Sequence, residues 1–270
     1  MQELKFFLLL LHNTPGIRDK VLYKILKAIY YEGITPSRFL ELPYDVYRKR
    51  FKLSHDASIA LSENLADHLE RSYRLMEVLD NLGFRIVSVF DSDYPESVKK
   101  FFDFPPPILY MRGDQTLLKK STFTILNSRD VDERCVEISR KFLSGEVLVS
   151  GVYGPGYSYA LDFRGPKLGV SDRGVMQISG GRMAKFDAIV AFSGVDDMGT
   201  PSSMRLRDRV VVSLSRRIIA GCIREGGNMF DLIMESERKG KEICIIDLER
   251  DGNRDLIQRG LNPCKIVDFA

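Results

Sequence analysis

The 270-residue chain carries 40 Lys and Arg against 37 Asp and Glu, a formal net charge of +3, with 44% hydrophobic residues. That composition supports a packed core and excludes an intrinsically disordered chain. So small an excess of positive charge does not by itself argue for a nucleic-acid partner.

The apolar run Phe6-Phe7-Leu8-Leu9-Leu10-Leu11 falls far short of the ~18–20 residues of a membrane span. It has no basic segment before it and no small-residue cleavage site after it, so it reads as a core helix. The expectation is a cytoplasmic protein without a membrane partner. Apolar residues then recur at three- and four-residue spacing over 4–11, 21–30, 57–69 and 73–82, which predicts helices. Breaks fall at Pro15-Gly16, Gly33, Pro36 and Pro43. Ser54 suits the N-cap of the third helix, Thr35 or Ser37 that of a short helix before it, and Gly83 the stop of the fourth.

From Phe84 onward short aliphatic and β-branched runs predict strands over 85–90, 108–111, 123–126, 147–149, 188–192, 218–220, 243–246 and 265–267. Helices are expected over 131–143, 157–163, 229–239 and 254–259. The stretch 168–181 reads as loop or poor strand. Strands alternating with helices indicate an α/β fold with a mostly parallel sheet. The expected division is a small helical N-terminal domain, 1–83, followed by a Rossmann-like domain, 84–270.

Four cysteines, Cys135, Cys222, Cys244 and Cys264, are scattered without a CxxC pair, and the three histidines all lie in the first 70 residues. The pattern reads as a reduced chain in which each cysteine is a small buried hydrophobe, with no metal site and no cofactor. The α/β part has no histidine, and Ser150-Gly151 is not a nucleophile elbow, so no catalytic residue is expected.

Several segments carry a resemblance. Asn13-Thr14-Pro15-Gly16-Ile17 is similar to the turn of helix-hairpin-helix modules, with Arg18 where the second glycine of that turn stands; a plain helix–helix turn is the other reading. Further on, Tyr94-Pro95, Pro106-Pro107-Ile108-Leu109-Tyr110, Arg112-Gly113-Asp114 and Leu117-Leu118 stand in an order and spacing that resemble the DprA/Smf family of DNA-processing proteins. Other family-like segments follow in order: Asn127-Ser128-Arg129, Ser150-Gly151, Arg207-Asp208-Arg209, Gly226-Gly227-Asn228, and Gly252-Asn253 with Leu256-Ile257. Departures from the family pattern are Asn127 in place of a glycine, Asp208 between two arginines, and Val152-Tyr153-Gly154-Pro155-Gly156 after Ser150-Gly151.

The resemblance implies a SAM or helix-hairpin-helix-like first domain and a protein that binds single-stranded DNA without sequence preference. It also implies handover to a RecA-type recombinase, usually as a homodimer. The loops at the strand ends would form the DNA site: Ser128, Arg129, Ser150, Gly151, Arg207, Arg209, Gly226, Gly227 and Asn228. Small residues and bare amides at helix starts favour an anion there, and arginine forks suit phosphate oxygens. Arg205, Arg207, Arg209, Arg216 and Arg217 make the densest cationic stretch, which reads either as a phosphate-binding surface or as a solvated basic face. Tyr153, Tyr157 and Tyr159 are candidate stacking rings or core residues. Two alternatives remain. One is a nucleotide-binding enzyme using the glycines of 151–156 with Asp172 as a ribose acid. The other is a paralogue that keeps the fold and has lost DNA binding.

Overall fold

A computed structural model describes residues 2–141 and 146–264. The chain divides into two compact units, Met1–Met111 with Gly194–Asp197, and Arg112–Ser193 with Met198–Ala270.

The first unit is mostly helical: α1 (Gln2–His12), α2 (Asp19–Glu32), α3 (Pro36–Leu40), α4 (Tyr44–Val46), α5 (His55–Ser62) and α6 (Leu65–Asn81). Phe7, Leu8, Leu9, Leu10 and Leu11 are all buried, so the apolar run is a core helix as its length required. The caps fall where the sequence put them. Ser54 Oγ accepts from the Ala57 N–H at 3.2 Å and Thr35 Oγ1 from the Arg38 N–H at 3.2 Å. Gly83, just past α6, sits at φ +70°, a left-handed conformation that favours glycine. The helix expected over 57–69 is instead broken at Glu63-Asn64, and α6 absorbs both its end and the next helix. Apolar spacing runs on across the break and hides it. β1 (Phe84–Ser88), α7 (Glu96–Phe101) and the start of β2 (Ile108–Gly113) complete the unit. Tyr94, from the first family-like segment, is buried, and its hydroxyl donates to the Pro106 carbonyl at 2.7 Å; its role is to fix the entry to β2.

The second unit is a parallel α/β sheet. Its strands are β3 (Thr122–Leu126), β4 (Val147–Gly151), β5 (Lys167–Ser171), β6 (Ala188–Ala191), β7 (Arg217–Ala220), β8 (Glu242–Ile246) and β9 (Pro263–Cys264). They lie in the order β6-β5-β4-β3-β7-β8-β9, and each neighbouring pair in that order is parallel. Helices α8 (Glu133–Lys141), α9 (Gly180–Met183), α10 (Pro201–Leu214), α11 (Asn228–Arg238) and α12 (Asp251–Gln258) connect them. Every residue of β3 and β4 is buried, as a sheet covered on both faces requires.

Four sequence expectations change. The stretch 168–181 contains a true central strand, β5, which glycine and serine had disguised: a side chain at Gly169 would run into Val152 and Phe186. The helix expected over 157–163 is a 3₁₀ turn, Pro155–Leu161. Helix α10 was not anticipated, although Thr200 and Ser203 form a capping box with Pro201 at the first helical position. Cys244 and Cys264 are not separate hydrophobes but a disulfide, with Cα atoms 5.2 Å apart on the neighbouring strands β8 and β9. The strand expected over 265–267, and positions 142–143 of the expected helix, lie outside the described residues.

Candidate functional site

The chain winds from β3 to β4, β5 and β6 on one side, then returns through α10 to β7, β8 and β9 on the other. Strand order therefore reverses between β3 and β7, the place where open parallel sheets hold ligands beyond their carboxyl ends. An open cleft of about 350 Å³ lies there. The loop after β3 contributes Ser128 and Asp130; the loop after β7 contributes Cys222, Ile223, Arg224 and Glu225; the start of α12 contributes Arg250, Asp251 and Gly252.

Two buried asparagines and one serine hold these walls together. Asn127 donates to the Gly156 carbonyl at 3.1 Å, and its Oδ1 accepts from the Cys222 N–H at 2.8 Å. Asn253 donates to the carbonyls of Gly221 (2.6 Å) and Ile246 (2.8 Å) and accepts from the Ile223 N–H at 2.9 Å. Ser128 Oγ accepts from the Arg224 N–H at 2.9 Å. Loop 222–225 is thus bound to β3 on one side and α12 on the other. Gly252 is where the two backbones meet: a Cβ there would lie 2.5 Å from Ile223 O and 2.8 Å from Glu225 N. Gly252→Ala is expected to destabilise the protein by about 1–3 kcal/mol through overpacking against backbone that cannot swing aside. Urea denaturation of the variant checks this.

The residues singled out from the sequence separate into groups. Ser128 lines the cleft, and Arg129 beside it is exposed. Gly226 and Asn228 are exposed at the start of α11, whose N-cap, Gly227, supplies no side-chain cap. Ser150 and Gly151 end β4 fully buried, outside the cleft lining, with Ser150 Oγ donating to the Gly151 carbonyl.

Arg207 is only 5% exposed. Its guanidinium donates to Asp208 Oδ1 at 2.8 and 2.9 Å, to Asp172 Oδ1 at 3.2 Å and to the Tyr153 carbonyl at 2.9 Å. It also lies 5.1 Å above the Tyr157 ring. Arg209 pairs with Glu235 of α11 at 2.6 Å, and Arg217 with Glu242 at 2.7 Å at the opposite, amino-terminal end of β7. The cationic stretch is therefore not one surface. Successive residues of a helix turn by about 100°, so Arg207 and Arg209 leave α10 on different sides.

Tyr157 and Tyr159 are buried, with hydroxyls bonded to Asp208 and to the Ile125 carbonyl. Tyr153 carries Arg173 over its face at 4.2 Å. None of the three presents a bare ring for stacking. Asp172 is fully buried against Arg207 and does not face a ribose site.

Similarity to known proteins gives this geometry a context. A family model for DNA recombination-mediator protein A matches residues 85–153. The X-ray structure of DNA processing protein A from Streptococcus pneumoniae superposes with a TM-score of 0.66 at 18% identity, covering 98% of this chain and 95% of that one. The Helicobacter pylori protein, whose structure addresses a single-stranded DNA binding mode, superposes with a TM-score of 0.60 at 19% identity, over 69% of this chain and 94% of that one. DNA processing protein DprA of Bacillus subtilis is 23% identical over 225 residues, 74% of this chain and 75% of its own length. The chain shares the fold of these DNA processing proteins and is similar in sequence to the DprA family.

Of the family-like segments found in the sequence, those holding Ser128 and Gly252 contribute to the cleft lining. Arg224, Arg250, Asn127 and Asn253 build the cleft and were not selected as site residues. Asn253 stands inside a family-like segment that was recognised only as a pattern. Asn127 was noted as a departure from a DprA-type glycine, whereas the fold uses its side chain as a brace. The signal for Arg224 and Arg250 is positional: each stands just before a helix that follows a strand.

Proposed function

We propose that this protein binds single-stranded DNA through its phosphates in the cleft between β3 and β7, as a sequence-independent DNA-processing factor rather than an enzyme. One observation carries the reading. Helix α12 begins in the wall of this cleft and the loop leading into α11 lines it, both helices lack side-chain caps, and the exposed Arg224 and Arg250 flank it. Uncapped first-turn amides and arginine forks both favour an anion. Ser128, Arg129, Gly226, Gly227 and Asn228 form the contact set together with those two arginines, while Arg207 acts from beneath by holding the 153–157 loop. Asp130, Glu225 and Asp251 also line the cleft, so the DNA backbone is held by a few directed contacts rather than by a broad positive field. The resemblance to the family extends the reading to a cytoplasmic homodimer that hands strands to a RecA-type recombinase.

The test is a titration of labelled single- and double-stranded oligonucleotides at several salt concentrations, for wild type and for Arg224→Ala with Arg250→Ala. The single strand is expected to bind more tightly than the duplex. The double variant is expected to lower the slope of log K against log salt by about 1.4, at ~0.7 per lost phosphate contact. A slope unchanged by the two substitutions removes the cleft from the binding site.

A further inference from the structure

We propose that Cys222 and Cys135 form a thiol oxidation site in the floor of the cleft, with Cys222 as the thiol that meets the oxidant and Cys135 as the partner that resolves it into a disulfide. Both are free thiols, and they converge on one side chain: Asn127 Oδ1 accepts from the Cys222 N–H at 2.8 Å and from Cys135 Sγ at 3.4 Å. Cys135 sulfur also lies against the residue just before Cys222: a Cβ on Gly221 would stand 2.8 Å from it. Cys222 lines the cleft, whereas Cys135 is sealed beneath it. A small oxidant entering from solvent therefore meets Cys222 first.

The surroundings divide the pair's roles. The neighbouring Cys135 thiol pulls the Cys222 thiol down to about 7 against the opposing effect of burial. The same neighbourhood, with burial, pushes Cys135 up. A substantial fraction of Cys222 is thus thiolate at neutral pH, the form that reacts. With a peroxide as oxidant, Cys222 sulfur attacks one peroxide oxygen. An S–O bond forms, the O–O bond breaks, and the leaving hydroxide is protonated to water, giving a sulfenic acid. Cys135 sulfur then attacks the Cys222 sulfur. The S–S bond forms, the S–O bond breaks, and hydroxide departs with the Cys135 proton as a second water. Two thiols and one peroxide yield one disulfide and two waters. The chemistry needs only these two side chains and is independent of whatever the cleft binds.

The experiment treats the full-length protein with equimolar hydrogen peroxide and maps tryptic peptides without reduction. Wild type is expected to yield a peptide pair joined through Cys135 and Cys222, lighter by two hydrogens, apart from the Cys244–Cys264 link. In Cys135→Ser the reaction is expected to stop at the sulfenic acid, captured on Cys222 by dimedone. In Cys222→Ser, Cys135 is expected to stay unmodified. Alkylation of wild-type Cys222 by iodoacetamide is expected to rise with pH through a midpoint near 7. Absence of the Cys135–Cys222 link in the wild-type protein overturns the proposal whether or not the variants fold. An alkylation midpoint at the ordinary thiol value overturns the activation of Cys222.

Discussion

Replacing Arg207 with methionine is expected to cost roughly 3–5 kcal/mol of folding stability, the range for removing one partner of a buried ion pair. Asp172 has no exposed surface and Asp208 very little, and the Arg207 guanidinium bonds to both. Methionine keeps much of the volume but leaves two carboxylates without their cation. It also orphans the Tyr153 carbonyl that Arg207 satisfies. The loss should depend on pH in a definite direction. Burial raises the Asp208 carboxyl above its ordinary value while Arg207 opposes the shift. Without Arg207 the carboxyl rises further. A group whose folded-state pKa is raised takes up a proton more readily folded than unfolded, so acid relieves its penalty. The variant's deficit relative to wild type should therefore be greatest at neutral pH and shrink as pH falls through the folded-state pKa of Asp208. Urea denaturation of both proteins at pH 7 and at about pH 5 checks it. An equal deficit at the two pH values would mean that packing, not buried charge, is what Arg207 supplies.

The same residue shows where sequence reading stops. Runs such as 123–126 and 218–220 are strands because β-branched and aliphatic residues crowd a sheet covered on both faces, and that is visible in composition alone. Caps such as Ser54 are legible because the chemistry is local. The direction of an arginine is not legible until its helix is known. Once α10 is in place, Arg207 turns toward β5 and its acids and Arg209 toward α11, so a cluster in sequence becomes separate ion pairs in space. β5 was obscured because Gly169 and Ser171 are small for close packing rather than for a loop. The Cys244–Cys264 bridge depends on α12 returning the chain to the neighbouring strand, a non-local fact. Of the cleft lining, Ser128 and Gly252 lie in the family-like segments, whereas Arg224 and Arg250 lie in none.

Asn253→Ala is the second substitution expected to have a large effect, because it acts on the cleft and on the fold at once. The side chain is fully buried and makes three hydrogen bonds, each to backbone of a strand end or the loop that follows it. Alanine would leave the carbonyls of Gly221 and Ile246 and the Ile223 N–H without that partner. At about 1–3 kcal/mol for each buried group left unsatisfied, and with water able to reach part of the void, a total loss of roughly 3 kcal/mol or more is expected. The damage should be uneven. The Ile223 N–H should exchange with solvent much faster than the amides of β3, because its acceptor is gone while β3 remains paired on both sides. Oligonucleotide affinity should fall with it, since Arg224 follows Ile223 directly and its own N–H is held only from the Ser128 side. Hydrogen exchange resolved by residue, set beside the denaturation midpoint, separates the outcomes. Faster exchange confined to 221–225 fits a brace that organises the cleft. Uniformly faster exchange across the sheet would make Asn253 an ordinary core residue with no particular hold on the loop.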